Sequence, residues 1–121
     1  MEKLKITIQV MAPPYSYQDL DTALNIAEAG LDKGHDVSIF LFADSVLSTF
    51  SHVKPLRMDR NIPQRMQSMI AEKGLRVDIC GICMDYRGVR PEEAIAGAKP
   101  SGLPELAALI ASSDRFINLM A

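Results

Sequence analysis

The apolar run Val37–Phe42, VSIFLF, broken only by Ser38, constrains this chain more than any other segment. It is short for a helix, and its β-branched and aromatic side chains favour a strand buried on both faces. Around it the sequence alternates between two periods. Leu4–Val10 sets Ile6, Ile8 and Val10 between Lys5, Thr7 and Gln9, which reads as a first strand. Met11–Tyr17, with Pro13 beside Pro14, reads as a loop. Leu20, Ala23, Leu24, Ala27 and Leu31 then share one face of a helix, with Ser16 and Asp19 spaced as a capping box and Gly34 as the stop. Asn61 is expected to cap a second helix, with Pro63 in its first turn, Ile62, Met66, Met69 and Ile70 on one core-packing face, and Gly74 after it. Ser101 opens the last helix, with Leu103, Leu106, Ala107 and Ile110 facing inward, and Arg115–Met120 is a final strand. Between these lie a short helix over Asp44–Phe50, an exposed basic loop over Ser51–Asn61, and a short strand or half-turn near Ala94–Ala96. Strands and helices alternating at short loop lengths imply right-handed βαβ units. The expected architecture is a three-layer α/β/α fold around a mostly parallel sheet of four to five strands.

The totals agree with one such domain over residues 1–121, since a chain of 121 residues suffices for one core and is short for two. A hydrophobic fraction of 48% and a charged fraction of 23% are those of an ordinary globular protein. A net charge of −2 gives no electrostatic reason to expect nucleic acid or an anionic membrane as partner. No apolar run approaches the roughly 20 residues that span a bilayer, and the first ten residues lack the apolar region of a signal peptide. The expected location is the cytoplasm.

The chemistry concentrates in Leu75–Val89, LRVDICGICMDYRGV. Leu75, Val77 and Ile79 alternate with Arg76 and Asp78, and the strand runs into both cysteines of the chain, Cys80 and Cys83. In an intracellular chain this C-x-x-C spacing points to redox chemistry, metal or sulfur handling. Open parallel sheets gather reactive groups beyond the carboxyl ends of their strands. Three loops meet that description: Met11–Tyr17, Ala43–Val46 and Cys80–Arg87. Unpaired N–H groups of the turn after Cys80 favour a thiolate, and Arg87 can add a positive charge. Lowering a thiol pKa from about 8.5 to about 7 corresponds to roughly 2 kcal/mol and makes about half of it thiolate at neutral pH. Cys80 is therefore the candidate sulfur nucleophile. Its bland alternative is a small buried hydrophobe, and Cys83 can likewise line an inward face with Ile82 and Tyr86. Arg87 can equally pair with Asp85 or Glu92 at the surface.

Segment Ile79–Val89, with Cys80 at a strand end and the pair Arg87–Gly88 seven residues on, resembles the cysteine segment of the DsrE/DsrF/TusD sulfur relay family. Ala12–Tyr15, Lys33–Val37 with Phe40–Val46, and Gly97 with the Ser101–Asp114 helix resemble other parts of that family in the same order. The resemblance implies a flavodoxin-like fold and a sulfurtransferase or sulfur carrier that holds a persulfide on Cys80. It also implies homo-oligomers, often trimers or hexamers, and sulfur donor and acceptor proteins or small thiols as partners. Gly81 would permit close approach to the turn, Arg87 would favour the anionic sulfur, and Tyr15 would either cover the cysteine or sit at the surface beside its prolines. TusD-type sequences usually carry only the first cysteine, so the CGxC form here opens a second course. Cys83 can attack a Cys80 persulfide, expel hydrosulfide and leave a disulfide.

Three rival readings remain at this level. One is a dithiol redox protein using Cys80 and Cys83, although Arg87–Gly88 cuts short the long helix that usually follows such a motif. A second is a zinc site completed by His35 or His52, neither of which has ligand spacing. A third is a non-catalytic small-molecule-binding or assembly module. No glycine-rich phosphate loop, Ser-His-Asp set or paired carboxylates in register are present, so no cofactor and no metal are expected.

Overall fold

The computed structural model describes residues 2–120. In chain order the elements are β1 (Lys5–Val10), α1 (Asp19–Asp32), β2 (Asp36–Leu41), α2 (Ile62–Lys73), β3 (Arg76–Cys80), α3 (Gly81–Tyr86), β4 (Lys99–Ser101), α4 (Leu103–Ser112) and β5 (Arg115–Leu119). Short 3₁₀ turns occupy Ala43–Thr49, Met58–Arg60 and Pro91–Glu93. The five strands form one sheet in the order β4-β3-β2-β1-β5, and every pairing is parallel. This is the α/β sheet with helical layers that the alternating periods imply.

Register decides which side chains face which layer. Ile8 pairs with Ile39 and Ile117, and Ile39 with Val77, so these residues share one face with Val10, Leu41 and Ile79. α1 crosses this face closely enough that a Cβ on Gly30 would lie 3.0 Å from Val37 Cγ2. α2 lies beside α1, and the crossover before β4 packs on α2 in turn: a Cβ on Gly97, at φ +90°, would come within 2.6 Å of Ile70 Cγ2. The opposite face carries Thr7, Phe40, Asp78 and Phe116, and α4 covers it, with Ser113 Oγ at its end 2.6 Å from Thr7 Oγ1. β2 is buried on both faces from Val37 onward, as its apolar run requires.

α2 starts and stops where its sequence directs. Asn61 Oδ1 accepts the Gln64 N–H at 3.2 Å, Pro63 stands in the first turn, and Gly74 closes the helix in the left-handed region. Met66 and Met69 are buried and Ile70 is partly so. We expect Asn61→Ala to reduce unfolding free energy by about 1 kcal/mol, measured by urea titration. A change under a few tenths would mean that solvent serves the Gln64 amide equally well.

Several local expectations are corrected. α1 begins after Gln18, which makes no side-chain cap bond, so Ser16 and Asp19 form no capping box. The short helix expected after β2 does form, as a 3₁₀ helix over Ala43–Thr49, whereas near Ala94 only an isolated antiparallel bridge to Phe50 forms. The strand of that region is Lys99–Ser101, placed at the sheet edge where Pro100 removes no needed central hydrogen bond. Ser101 therefore ends β4, and Gly102 precedes α4. In α4 the buried pair is Leu106 and Leu109, whereas Leu103, Ala107 and Ile110 form an exposed stripe. The apolar content of α4 is high enough that a neighbouring helical face satisfied the same spacing. The basic residues of the 51–65 stretch are largely neutralised within the chain, by Arg57–Asp59, Arg60–Asp21 and Arg65–Glu28 pairs.

Candidate functional site

β3 delivers Cys80 to the carboxyl edge of the sheet, between β2 and β4. The chain turns there: Cys80 caps α3 in extended conformation, and Gly81 begins the helix. Gly81 lies against β4, where a Cβ would make an ordinary contact at 3.4 Å from the Ser101 carbonyl. Three residues on, Cys83 occupies the first turn of α3. That spacing brings the second thiol back toward the first. Both are free thiols, 3% and 8% exposed.

The loop after β2 closes over Cys83. Ala43 adopts φ 54°, a left-handed conformation costing a non-glycine residue about 1 kcal/mol or more, and its N–H donates to Cys83 Sγ at 3.2 Å. Arg87 fastens this loop to α3. Its Nε donates to Asp44 Oδ1 at 2.8 Å and an Nη donates to the Cys83 carbonyl at 3.2 Å. The arginine thus pairs with Asp44 and not with Asp85 or Glu92. Burial is the main influence on the Cys83 thiol and pushes its pKa up, reinforced by the neighbouring Cys80 thiol. The Ala43 N–H and the Arg87 charge act in the opposite direction. Gly88, at φ +67°, lets the chain leave α3 while the Val89 N–H returns to the Met84 carbonyl at 2.9 Å.

Asp78 lies two residues before Cys80 on the same face of β3 and is fully buried. Arg76 grips it through bonds of 2.8 and 3.1 Å, and Ser101 Oγ donates to it at 2.6 Å. This network ties the last residue of β4 to the strand carrying the cysteines. The alternation of Arg76 and Asp78 with apolar neighbours reads in sequence as a wet strand face. The buried carboxylate follows from the covering layer, which only the assembled sheet supplies.

The third predicted loop reaches the same edge differently. Met11, Ala12, Pro13 and Tyr17 line a cavity of about 320 Å³ with Asp44 and Met120. Tyr15, at φ 70°, instead accepts the Ile62 N–H on its phenol oxygen at 3.4 Å and lies beneath Arg60. Its contacts serve the start of α2. A second groove of about 320 Å³ runs along α3 from Gly81 and Ile82 to Val89, Pro100 and Ser101. Exposed on α3 are Ile82, at 64%, and Tyr86, at 85%. Among the described residues no group of three or more His, Cys, Asp and Glu side chains is arranged to hold a metal ion. His35 Nδ1 accepts the Leu4 N–H at the amino edge of the sheet, and His52 packs against Phe50. Sequence reasoning placed the Ala43–Val46 loop at this edge but gave Ala43 and Asp44 no individual role, and it missed Asp78 and Ser101 as participants. Ala43 gave no signal, because a left-handed alanine looks like any other.

A five-stranded parallel α/β sheet with two thiols at the carboxyl end of an inner strand defines a thiol-bearing α/β protein. The model of the DsrE/DsrF-like family matches residues 4–119, and the chain belongs to that family. The putative sulfurtransferase DsrE of Allochromatium vinosum is 28% identical over 126 residues, covering 94% of this chain and 97% of that one. Sulfurtransferase TusD of Cronobacter sakazakii is 29% identical over 102 residues, covering 84% and 77%. The crystal structure of the ychN protein from E. coli superposes with a TM-score of 0.88 at 29% identity, covering 98% of this chain and all of the other. A sulfur relay family is thereby established. No helix among the described residues is long and apolar enough to cross a membrane.

Proposed function

We propose that the protein is a cytoplasmic sulfur carrier or sulfurtransferase, working as one domain over residues 1–121, with Cys80 as the atom that holds the sulfur. The Cys80 thiolate attacks the outer sulfur of a donor persulfide, forming Cys80–S–SH and releasing the donor thiolate. An acceptor thiolate then attacks that outer sulfur, takes it as its own persulfide and returns Cys80 as thiolate. The observation carrying this reading is the placement of Cys80 at the strand-end turn, in a chain whose relatives include proteins named as sulfurtransferases. Gly81 opens the turn beside β4, and the groove along α3 begins at Gly81, the residue next to Cys80. Arg87 and Gly88 serve through the shape of the turn. Tyr15 is assigned no contact with the sulfur.

Transfer is tested by adding a small thiol to sulfur-loaded protein and following the acceptor persulfide and bound sulfane sulfur together. Stoichiometric loss of the bound sulfur with appearance of the acceptor persulfide supports carriage. Bound sulfur that survives excess thiol in the folded protein contradicts it.

The second reading, a dithiol couple, draws on the proximity of the two thiols. Cys80 and Cys83 would join in a disulfide as a disulfide substrate takes their two electrons and two protons and is released as two thiols. We further propose homo-oligomers, by reason of the apolar side chains Leu103, Ile110, Phe116 and Met120 exposed on the face that α4 alone covers. Light scattering of the purified chain is expected to give a mass that is a multiple of the 13.3 kDa protomer. A monomer at micromolar concentration would contradict that assignment.

A further inference from the structure

The sheet reverses its direction of winding between β1 and β5, two strands away from the one that ends at Cys80. From β1 the chain steps outward through β2, β3 and β4 on one side, then returns to place β5 on the other side of β1. α1, which follows β1, packs on one face of the sheet, and α4, which precedes β5, packs on the other. At such a reversal the connections part and leave a crevice beyond the carboxyl ends of the strands, where open α/β sheets take their ligands. The cavity of about 320 Å³ lined by Met11, Ala12, Pro13, Tyr17, Asp44 and Met120 occupies that position. Its first four lining residues follow β1, and Met120 follows β5.

The walls of this cavity are set by the chain itself. Met11 N–H donates to the Leu119 carbonyl at 3.1 Å, Phe42 N–H to the Val10 carbonyl at 3.0 Å, and Asn118 Nδ2 to Met120 Sδ at 3.1 Å. A bridge between Pro14 and Tyr17, with the contacts of Tyr15 to Ile62 and Arg60, holds the loop after β1. Walls fixed beforehand leave little ordering cost for a ligand to offset. The lining also selects a charge. Asp44 is the charged residue among those that line the cavity. Arg87 Nε donates to Asp44 Oδ1 while an Nη donates to the Cys83 carbonyl, and among the described residues no group donates to Asp44 Oδ2. Tyr17 adds an aromatic ring, which attracts cations, and Met11, Pro13 and Met120 add apolar surface.

The geometry points to this cavity as a binding site for a small organic cation, with the ammonium group on Asp44 Oδ2 and the apolar body against Tyr17, Met11 and Met120. Its volume is at the lower end for small-molecule sites, so the ligand is compact. The site is independent of the sulfur chemistry assigned to Cys80. It shares one loop with the thiols, since Asp44 follows Ala43, whose N–H donates to Cys83 Sγ.

The test is an amide-shift titration by nuclear magnetic resonance with benzylamine, a cation at neutral pH, against benzyl alcohol and benzoate as its neutral and anionic counterparts. Benzylamine is expected to shift the amides of Met11, Tyr17, Asp44 and Met120 saturably. At low salt it should bind about fivefold more tightly than benzyl alcohol, the scale of one partly exposed ion pair. Benzoate should bind more weakly than either. Asp44→Asn is expected to remove the preference for the amine and leave benzyl alcohol binding unchanged, which a merely loosened loop would not do. Tyr17→Ala, which keeps the Asp44–Arg87 pair, should weaken amine and alcohol alike. Asp59→Asn, outside the cavity, should change neither, with circular dichroism confirming that each variant is folded. Equal affinity for the three probes, or an amine preference that survives Asp44→Asn, would overturn the inference. So would the lack of saturable shifts, or shifts confined to other surfaces. A light-scattering mass that changes on adding benzylamine to wild type and Asp44→Asn alike would assign the cavity to a contact between copies, and the inference would fail.

Discussion

Phe40→Ala is expected to lower unfolding free energy by about 4 kcal/mol, within the range for removing a buried aromatic ring. Phe40 is fully buried at the middle of β2, paired with Gln9 on one side and Asp78 on the other. It faces the layer supplied by α4, so a void there has one helix to collapse onto it rather than two. The neighbouring strands hold β2 by parallel ladders on both edges, which limits relaxation further. Urea unfolding followed by far-ultraviolet circular dichroism gives the number directly. Tyr86→Ala serves as the control, because Tyr86 is 85% exposed and its loss should cost under about 1 kcal/mol. Similar losses at the two positions would contradict the assignment of Phe40 to the core.

Arg76→Met is expected to cost about 3 kcal/mol, although Arg76 itself is partly exposed. The loss arises at the other end of the pair. Asp78 has no exposed surface, and without Arg76 its carboxylate keeps only the Ser101 hydroxyl. An unpaired buried carboxylate is the expensive state, more so than the absence of the pair. The double variant Arg76→Met with Asp78→Leu should therefore recover much of the loss, since neither charge then remains under α4. A double variant no more stable than Arg76→Met alone would show that Asp78 acts chiefly through Ser101 and β4.

The central layer of this fold is legible in the sequence because burial on both faces leaves its mark on every residue of the strand. Val37–Leu41 cannot be read as anything wetter, and Asn61, Pro63 and Gly74 mark the ends of α2 by local chemistry alone. The periphery is less legible. α4 is apolar on more than its buried side, so Leu103, Ala107 and Ile110 match an inward stripe as well as Leu106 and Leu109 do. β4 spans only Lys99–Ser101 and includes a proline, so it has no period to detect. At the site, the cysteine pair and its strand-end position follow from spacing. The Ala43–Val46 loop is placed there as well, but its bond to Cys83 is not, because a backbone N–H carries no side-chain signature. Arg87 illustrates the difference: its charge is visible in the sequence, whereas its partner is a residue 43 positions away on another loop.

The central claim is that Cys80 carries sulfane sulfur. Its most direct measurement is intact mass after incubation with a persulfide donor, on wild type, Cys80→Ser and Cys83→Ser. The account predicts a gain of about 32 mass units, one sulfur atom, in wild type and Cys83→Ser, and none in Cys80→Ser. Full loading of Cys80→Ser would contradict it. So would loss of about two mass units in wild type alone, with no sulfur adduct in any variant, which is the signature of a disulfide couple.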